Sequence, residues 1–216
     1  MKLELSNEEI HLLPEKAFYW PKEKILGLSD VHIGKAESLQ SFGIPIPSGP
    51  HLEDLANLEK LIEKTQAKSV FVLGDWIHQK NSWSPNILKD LDTFFNKHKN
   101  LNWTLLIGNH ERGSIEYLKK YPFKIIEDAY AKPPFLFTHG HLQARAENLF
   151  QIQGHIHPVI RIKEGSTRLR LPCFVLDQNS LTLPSFGSLT GGYEVSHQKN
   201  RRFFATAEKT VFEVPY

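Results

Sequence analysis

Five short stretches of this 216-residue chain gather carboxylates, an asparagine and histidines: Asp30-Val31-His32, Gly74-Asp75-Trp76-Ile77-His78, Gly108-Asn109-His110-Glu111, Thr138-His139-Gly140-His141 and Gly154-His155-Ile156-His157. They hold seven of its eleven histidines. Oxygen and imidazole donors are the ligand types of a divalent cation that activates water at neutral pH while keeping a coordination position open. Asp-x-His supplies both types at once. In an extended segment residues two apart point the same way, so Asp30 with His32, and His155 with His157, are expected to face one ion together. A single histidine after a strand is more often a hydrogen-bonded structural residue. Five such motifs in register with strand ends read as a metal site.

Four motifs directly follow apolar runs, Ile25-Leu26-Gly27-Leu28, Val70-Phe71-Val72-Leu73, Trp103-Thr104-Leu105-Leu106-Ile107 and Phe135-Leu136-Phe137, and the fifth lies beside one. The polar groups therefore stand where strands end and loops begin, which is where open α/β sheets collect ligands. Leu52, Leu55, Leu58, Leu61 and Ile62 recur at helical spacing after Ser48-Gly49-Pro50, and Ile87, Leu88, Leu91, Phe94 and Phe95 do so after Ser84-Pro85. Strand, motif and helix in alternation predict βαβ crossovers and a largely parallel sheet with helices over its faces. After about residue 123 the pattern shifts to short β-type runs at 135–137, 159–162, 169–171, 174–176, 181–183, 203–205 and 211–214. Gly165-Ser166 and Asp177-Gln178-Asn179-Ser180 offer hairpin turns between them. The second half is expected to form a more mixed sheet packed on the first. No linker or fixed repeat divides residues 1–216, which are read as one domain.

Composition excludes several classes. A 40% hydrophobic, 23% charged chain is ordinary for a globular protein, and the formal net charge of +2 permits an anionic substrate without demanding one. The single cysteine, Cys173, cannot form an internal disulfide and sits among Pro172, Phe174 and Val175 as a buried strand residue would, which fits a reducing cytoplasm. Glu4, Glu8, Glu9 and His11 interrupt the start of the chain, so it lacks a secretory signal pattern, and no run approaches a membrane span.

The order Asp-x-His, Gly-Asp-x-x-His, Gly-Asn-His-Glu, His, Gly-His-x-His closely resembles that of the calcineurin-like metallophosphoesterases. The resemblance implies an α/β (α+β) fold, a two-sheet β-sandwich core flanked by helices. It also implies one ion on Asp30, His32, Asp75 and His157, and a second on Asp75, Asn109, His139 and His155, with Asp75 bridging. His110 would act beside the metals, donating to a phosphate oxygen or protonating the leaving alkoxide, tasks that suit an imidazole. Asp75 and Asn109 complete the catalytic set, and Glu111 would orient neighbours. His78 and His141 stand beside the ligands with their contacts open. Hydrolysis would proceed by in-line attack of a metal-bridging hydroxide on the phosphate. Manganese is the first choice of metal, with iron or zinc also suited.

Within that family, the Gly-Asp-x-x-His and Gly-Asn-His forms resemble the DNA-repair nuclease branch. Asp30-Val31-His32-Ile33-Gly34-Lys35, Phe42-Gly43-Ile44-Pro45-Ile46-Pro47-Ser48-Gly49 and Leu183-Pro184-Ser185-Phe186-Gly187-Ser188-Leu189-Thr190-Gly191-Gly192 look like the bacterial metallophosphoesterases associated with a DNA ligase and a helicase. The resemblance implies a phosphodiesterase acting on nucleic acid, DNA in repair, with ligase and helicase partners and no membrane. The alternative is a small-molecule phosphodiesterase or phosphatase acting on a cyclic nucleotide, dinucleotide or lipid pyrophosphate. A non-enzymatic scaffold fits less well, because such proteins tend to lose ligands and here all are present. Several side chains keep two readings. Lys35 is a phosphate contact or a solvated lysine, and Trp76 and Trp83 are core residues or base-stacking faces. Arg161, Lys163, Arg168 and Arg170, with Lys199, Arg201 and Arg202, form a basic track or the ordinary polar face of a hairpin. The run Ser185 to Gly192 is a turn between strands, where Gly187, Gly191 and Gly192 suit positive φ, or a loop lining the site, whose Ser185, Ser188 and Thr190 could meet phosphate. Arg145 and Glu147 lie between the last two motifs, their direction open.

Overall fold

The computed structural model describes residues 1–142, 146, 148–165, 167–196 and 198–215, with the side chains of Glu164 and Thr167 excepted. Arg145, Glu147 and Ser166 lie outside the described residues. The chain begins with β1 (Lys2–Leu5), β2 (Glu8–Leu13), β3 (Ala17–Trp20) and β4 (Ile25–Leu28), an antiparallel meander. Helices α1 (Lys35–Ser41) and α2 (Pro50–Thr65) lead to β5 (Ser69–Leu73). Then α3 (Pro85–Lys97) leads to β6 (Asn102–Leu106), and the short α4 (Ile115–Leu118) to β7 (Phe123–Ile126). β4 to β7 pair in parallel, as the βαβ pattern predicts. The three strands before them are a finding that the strand-and-motif pattern did not include. The parallel run is therefore only part of this sheet, whose order is β1 through β7.

Among the described residues a second sheet is built from β8 (Ala129–Lys132), β9 (Phe135–Thr138), β10 (Phe150–Gln153), β11 (Pro158–Glu164), β12 (Thr167–Leu176), β13 (Ser180–Thr182), β14 (Tyr193–Glu194), β15 (Arg202–Ala207) and β16 (Thr210–Glu213). Its order is β14-β11-β12-β13-β10-β9-β8, with β15 on β12 and β16 on β15. Runs 169–171 and 174–176 are one strand that passes through Pro172 and changes partner there, pairing with β11 before it and with β13 and β15 after it. Hairpins join β11 to β12, β12 to β13 and β15 to β16, but β9, β10 and β13 run parallel.

Two apolar layers hold the sandwich. Leu26, Leu28, Val70, Val72 and Leu105 face Leu55, Leu58 and Leu61 of α2 and Ile87, Leu91 and Phe95 of α3. Their alternate neighbours Ile25, Phe71, Leu73 and Leu106 face Phe135, Phe137, Ile152, Phe174 and Phe204 of the second sheet. Each fully buried side chain of this size contributes about 1.5–3 kcal/mol. Helices thus cover one face of the first sheet and the second sheet covers the other, in place of helices on both faces. The α3 start follows its sequence signal: the Ser84 hydroxyl accepts from the Ile87 N–H at 3.3 Å, with Pro85 in the first turn. Among the described residues no helix is long and apolar enough to cross a membrane.

Candidate metal centre

The motifs converge where β4, β5, β6, β9 and β10 end. Asp30, His32 and His157 offer ligand atoms within 4.8 Å of one another, and so do Asp75, His139 and His155. A third group, His32, His78 and His110, meets the same limit. The Asp75 Oδ2 atom stands between the first two groups, 3.7 Å from His32 Nε2 and 3.4 Å from His139 Nε2. Asn109 Oδ1 is 3.2 Å from His139 Nε2, placing Asn109 with the second group.

The backbone achieves this convergence differently from the extended geometry expected of Asp-x-His. Asp30, His32, Asp75, His155 and His157 all have left-handed backbone, with φ of 58°, 53°, 52°, 75° and 47°. Asp and His are among the residues that tolerate this region, at a strain of about 1–3 kcal/mol each. Paired left-handed residues, not the two-residue alternation of a strand, turn Asp30 and His32 into one group, but they part the last motif: His157 joins Asp30 and His32 while His155 joins Asp75 and His139, so these two histidines do not face one ion together as expected. The strand ends are then locked together. Asp30 N–H donates to the Gly74 carbonyl, His32 N–H to the Asp75 carbonyl and Ile33 N–H to the Trp76 carbonyl. Gly108 passes so close to the bridging carboxylate that a Cβ there would lie 2.1 Å from Asp75 Oδ1.

The polar atoms are sorted into anchored and free. One oxygen of Asp30 accepts from Ser29 Oγ at 2.5 Å and from the His155 N–H at 3.0 Å, while Oδ1 is buried without an aligned donor. His157 Nε2 lies 2.9 Å from that oxygen. Asp75 Oδ1 accepts the His110 N–H at 3.0 Å, leaving Oδ2 to the histidines. His139 Nδ1 donates to the Leu73 carbonyl at 2.7 Å, so its Nε2 faces Asp75 Oδ2, Asn109 Oδ1 and His155 Nδ1, the last 3.2 Å away. His32 Nε2 is buried and unpartnered as well. Lone pairs outnumber donors, which is the donor set a divalent cation fits.

The electrostatics agree. Burial lowers His32 to about 3, and burial with the neighbouring His110 charge lowers His78 to about 4. Burial works against a charged His139, but the bond and charge of Asp75 and the charge of Asp30 together raise it to about 9. Burial likewise opposes charge on Asp75, and His139 and His32 outweigh it, holding the carboxyl well below its usual range. A protonated His139 thus offsets the carboxylates in the same place where a cation would.

Around this core, Glu111 is fully buried and accepts three backbone N–H groups, from Gly108 at 2.7 Å, Asp75 at 3.0 Å and Ile77 at 3.3 Å. His110 Nδ1 donates to the His78 carbonyl, and its Nε2 lies 3.9 Å from Asp75 Oδ2 on a side chain one-third exposed. His78 stacks on His110 at 5.1 Å and reaches His32 Nδ1 at 3.1 Å. His141 lies beside the second group, its ring 5.2 Å from His139 and 6.0 Å from His155. Trp76 is fully buried against Phe95, Trp103 and Phe123, and Trp83 stacks on Tyr117 and donates to Ser114 Oγ, so both are packing residues. Lys35 is half-buried and lines a small cleft with His32, His51 and Asp54.

The 185–192 segment packs against the Asp30 motif, with the Phe186 N–H on the Ser29 carbonyl and the Gly187 N–H on the Asp30 carbonyl. Gly187, Gly191 and Gly192 are not among the positive-φ residues. Gly187 is needed for close approach, since a Cβ would meet the Val31 carbonyl oxygen at 2.2 Å. Ser188 is held by Asp54, through its N–H at 2.9 Å and its hydroxyl at 3.3 Å, and Thr190 Oγ1 donates to Ser185 Oγ at 2.7 Å. These hydroxyls are engaged within the protein. Asp54 and Ser29 were not singled out from the sequence. Ser29 had a signal in its place directly before Asp30 at a strand end, whereas Asp54 meets Ser188 across 134 residues and had none.

Comparison with known proteins gives a consistent picture. Over its whole length the chain is similar to the Pseudomonas putida nuclease MPE, whose crystal structure superposes with a TM-score of 0.86 at 29% identity, covering 99% of each chain. The E. coli phosphoesterase Yfce matches with a TM-score of 0.46 at 15% identity, over 88% of this chain and 97% of that one, too remote to inform the site. No curated protein matches. The family model for calcineurin-like phosphoesterases matches residues 23–196, a span that holds all five motifs. Members of that family use a dinuclear metal centre, and two Asp/His groups meeting at one carboxylate stand ready for it here. The chain belongs to the calcineurin-like phosphoesterase family, the metal-dependent phosphoester hydrolases.

Proposed function

We propose that residues 1–216 form one domain that hydrolyses phosphodiester bonds of nucleic acid, DNA in repair, with two manganese ions in the centre. The observation that carries the reading is the pair of ligand groups with Asp75 Oδ2 between them, and more lone pairs than donors around it. Asp30, His32, Asp75 and His157 would hold one ion, and Asp75, Asn109, His139 and His155 the other. Such a pair supplies Lewis-acid polarisation of phosphate oxygens and a water nucleophile at neutral pH. The chain's own groups do the rest. The His78 carbonyl engages His110 Nδ1, so Nε2 faces the centre and, in the doubly protonated ring, is the atom that would donate to a phosphate oxygen or to the leaving alkoxide. Glu111 holds the Asp75 and Gly108 loops at fixed separation, and His78 orients His32 and His110.

The nuclease similarity over the full length supports nucleic acid as the substrate class. Ligase and helicase partners and a cytoplasmic location complete the proposal, resting on the loop resemblance and on the lone, buried Cys173. The test is metal-stripped protein refilled with manganese, assayed on a chromogenic phosphodiester and on circular single-stranded DNA beside Asp75→Asn and His110→Ala variants. Cleavage of both substrates is expected from the parent. Asp75→Asn is expected to lose turnover and manganese binding while keeping its circular dichroism, and a fully active Asp75→Asn would refute the bridging role. Diester turnover with DNA untouched, as circles and as linear strands, would move the substrate to the small-molecule class.

A further inference from the structure

The basic residues of the second half separate into two kinds. Arg201 and Arg202 are committed to bidentate pairs with Asp177 and Glu213. On the β11–β12 hairpin, in contrast, Arg161 lies directly opposite Arg170 and Lys163 directly opposite Arg168. Strand alternation puts all four on one face, while Ile160 and Cys173 fill the core on the other. All four are exposed. Like charges placed directly opposite cost stability, and a ladder of two such pairs is a feature for a polyanion to neutralise. Glu194 answers Arg161 at 2.7 Å and the Gly192 carbonyl accepts from Arg170. Lys163 and Arg168 have no side-chain partner among the described residues.

This face is continuous with the metal centre. β11 starts at the residue after His157, and the His157 carbonyl accepts the Tyr193 N–H at 2.9 Å. The 185–192 loop spans the two: Gly187 bonds to the Asp30 carbonyl, and a Cβ at Gly192 would lie 2.2 Å from Val159, which shares the basic face. At the junction Glu194 pairs with Val159 and so lies on the basic face, whereas Tyr193, paired with Pro158, lies on the opposite one. Along an antiparallel strand two residues advance about 6.8 Å, so the cation pairs repeat at a spacing close to one phosphate of an extended single strand. The first pair lies roughly 13 Å along the strand from His157, about two nucleotides away.

Resting on the nucleic-acid reading above, we infer that the basic β11–β12 face forms a track for single-stranded nucleic acid leaving the metal centre. The Arg161/Arg170 and Lys163/Arg168 pairs meet successive phosphates. An extended strand suits the face because its phosphates can follow the line of the cation pairs.

The test is binding of a phosphorothioate single-stranded oligonucleotide to the manganese-loaded protein, by fluorescence anisotropy over a range of salt concentrations. The double variant Lys163→Gln/Arg168→Gln is expected to flatten the slope of log affinity against log salt by about 1.4, two phosphates at roughly 0.7 each. Its turnover of a chromogenic diester stays at the parental level, and its Tm is unchanged or higher because facing like charges are gone. A parental slope in the double variant overturns the track while leaving the nucleic-acid reading in place. A parent protein that binds no oligonucleotide overturns both. Anionic phospholipid vesicles run in parallel: vesicle binding lost in the double variant, with oligonucleotide binding kept, would assign the face to a lipid surface instead.

Discussion

Glu111 touches no candidate ligand through its own carboxylate except by way of backbone, which makes it the sharpest test of how the centre is held. In Glu111→Ala the N–H groups of Gly108, Asp75 and Ile77 lose their acceptor in a site with no solvent access. At about 1 kcal/mol for each buried donor left unpaired, the low end of the range, the loss is about 3 kcal/mol before any cavity is counted. For a chain of this length that corresponds to about 6–12 °C in Tm. All three donors belong to the loops that carry Asp75 and Asn109, so manganese affinity should also fall, by roughly 10–100-fold. Glu111→Gln separates the contributions. Its amide oxygen can keep the Asp75 and Gly108 donors, which share Oε2, but its amide nitrogen then faces the Ile77 N–H, and an intermediate loss follows. Thermal unfolding of the metal-free proteins and calorimetric manganese titration measure both effects. A Glu111→Ala protein that melts within about 2 °C of the parent, less than 1 kcal/mol, and binds manganese equally would refute the clamp.

Two further outcomes follow from the same structure. Burial raises the Asp54 carboxyl to about 6, against the Ser188 bonds and Lys16 that lower it. A carboxyl whose folded pKa lies above its unfolded value contributes stability below the unfolded value, near 4, and loses it as pH rises through about 6. Asp54→Asn removes that dependence, so its Tm relative to the parent should climb between pH 4 and 6; a constant difference across that window would contradict the assignment. Chelation of the metals should lower Tm by about 5–11 °C when the free metal had stood at a hundred times its Kd, about 2.7 kcal/mol, and Asp75→Asn should show little of this response.

The motifs, the parallel strands that carry them and both long helices were readable because each is local: an apolar run, a cap, a repeat of three and four residues. The first meander had a local signal too, in the alternation of Leu3 with Leu5 and of Ile10 with Leu12, but its charged partners drew the reading toward targeting signals instead. What could not be read is what depends on distance. That Glu111 spans two loops, that Asp54 reaches Ser188, and that Arg161 and Arg170 meet across a hairpin while Arg201 is tied to Asp177 are properties of the folded register. Backbone handedness at the candidate ligands was hidden for a different reason. Asp and His permit the left-handed region without requiring it, so only the surrounding bonds to Gly74, Asp75 and Trp76 decide it.

The candidate ligands are divided between the two sheets, with Asp30, Asp75 and Asn109 following strands of the first and His139, His155 and His157 following strands of the second. During synthesis the early strands and their helices leave the ribosome first and can collapse together, at about 5–20 residues per second. Asp30 then waits for well over a hundred more residues before His155 and His157 emerge. A nascent or prematurely terminated chain that ends before residue 155 carries half a pocket and neither of the two Asp/His groups complete. A phosphoester hydrolase is thereby left without its two Asp/His groups until both sheets have closed.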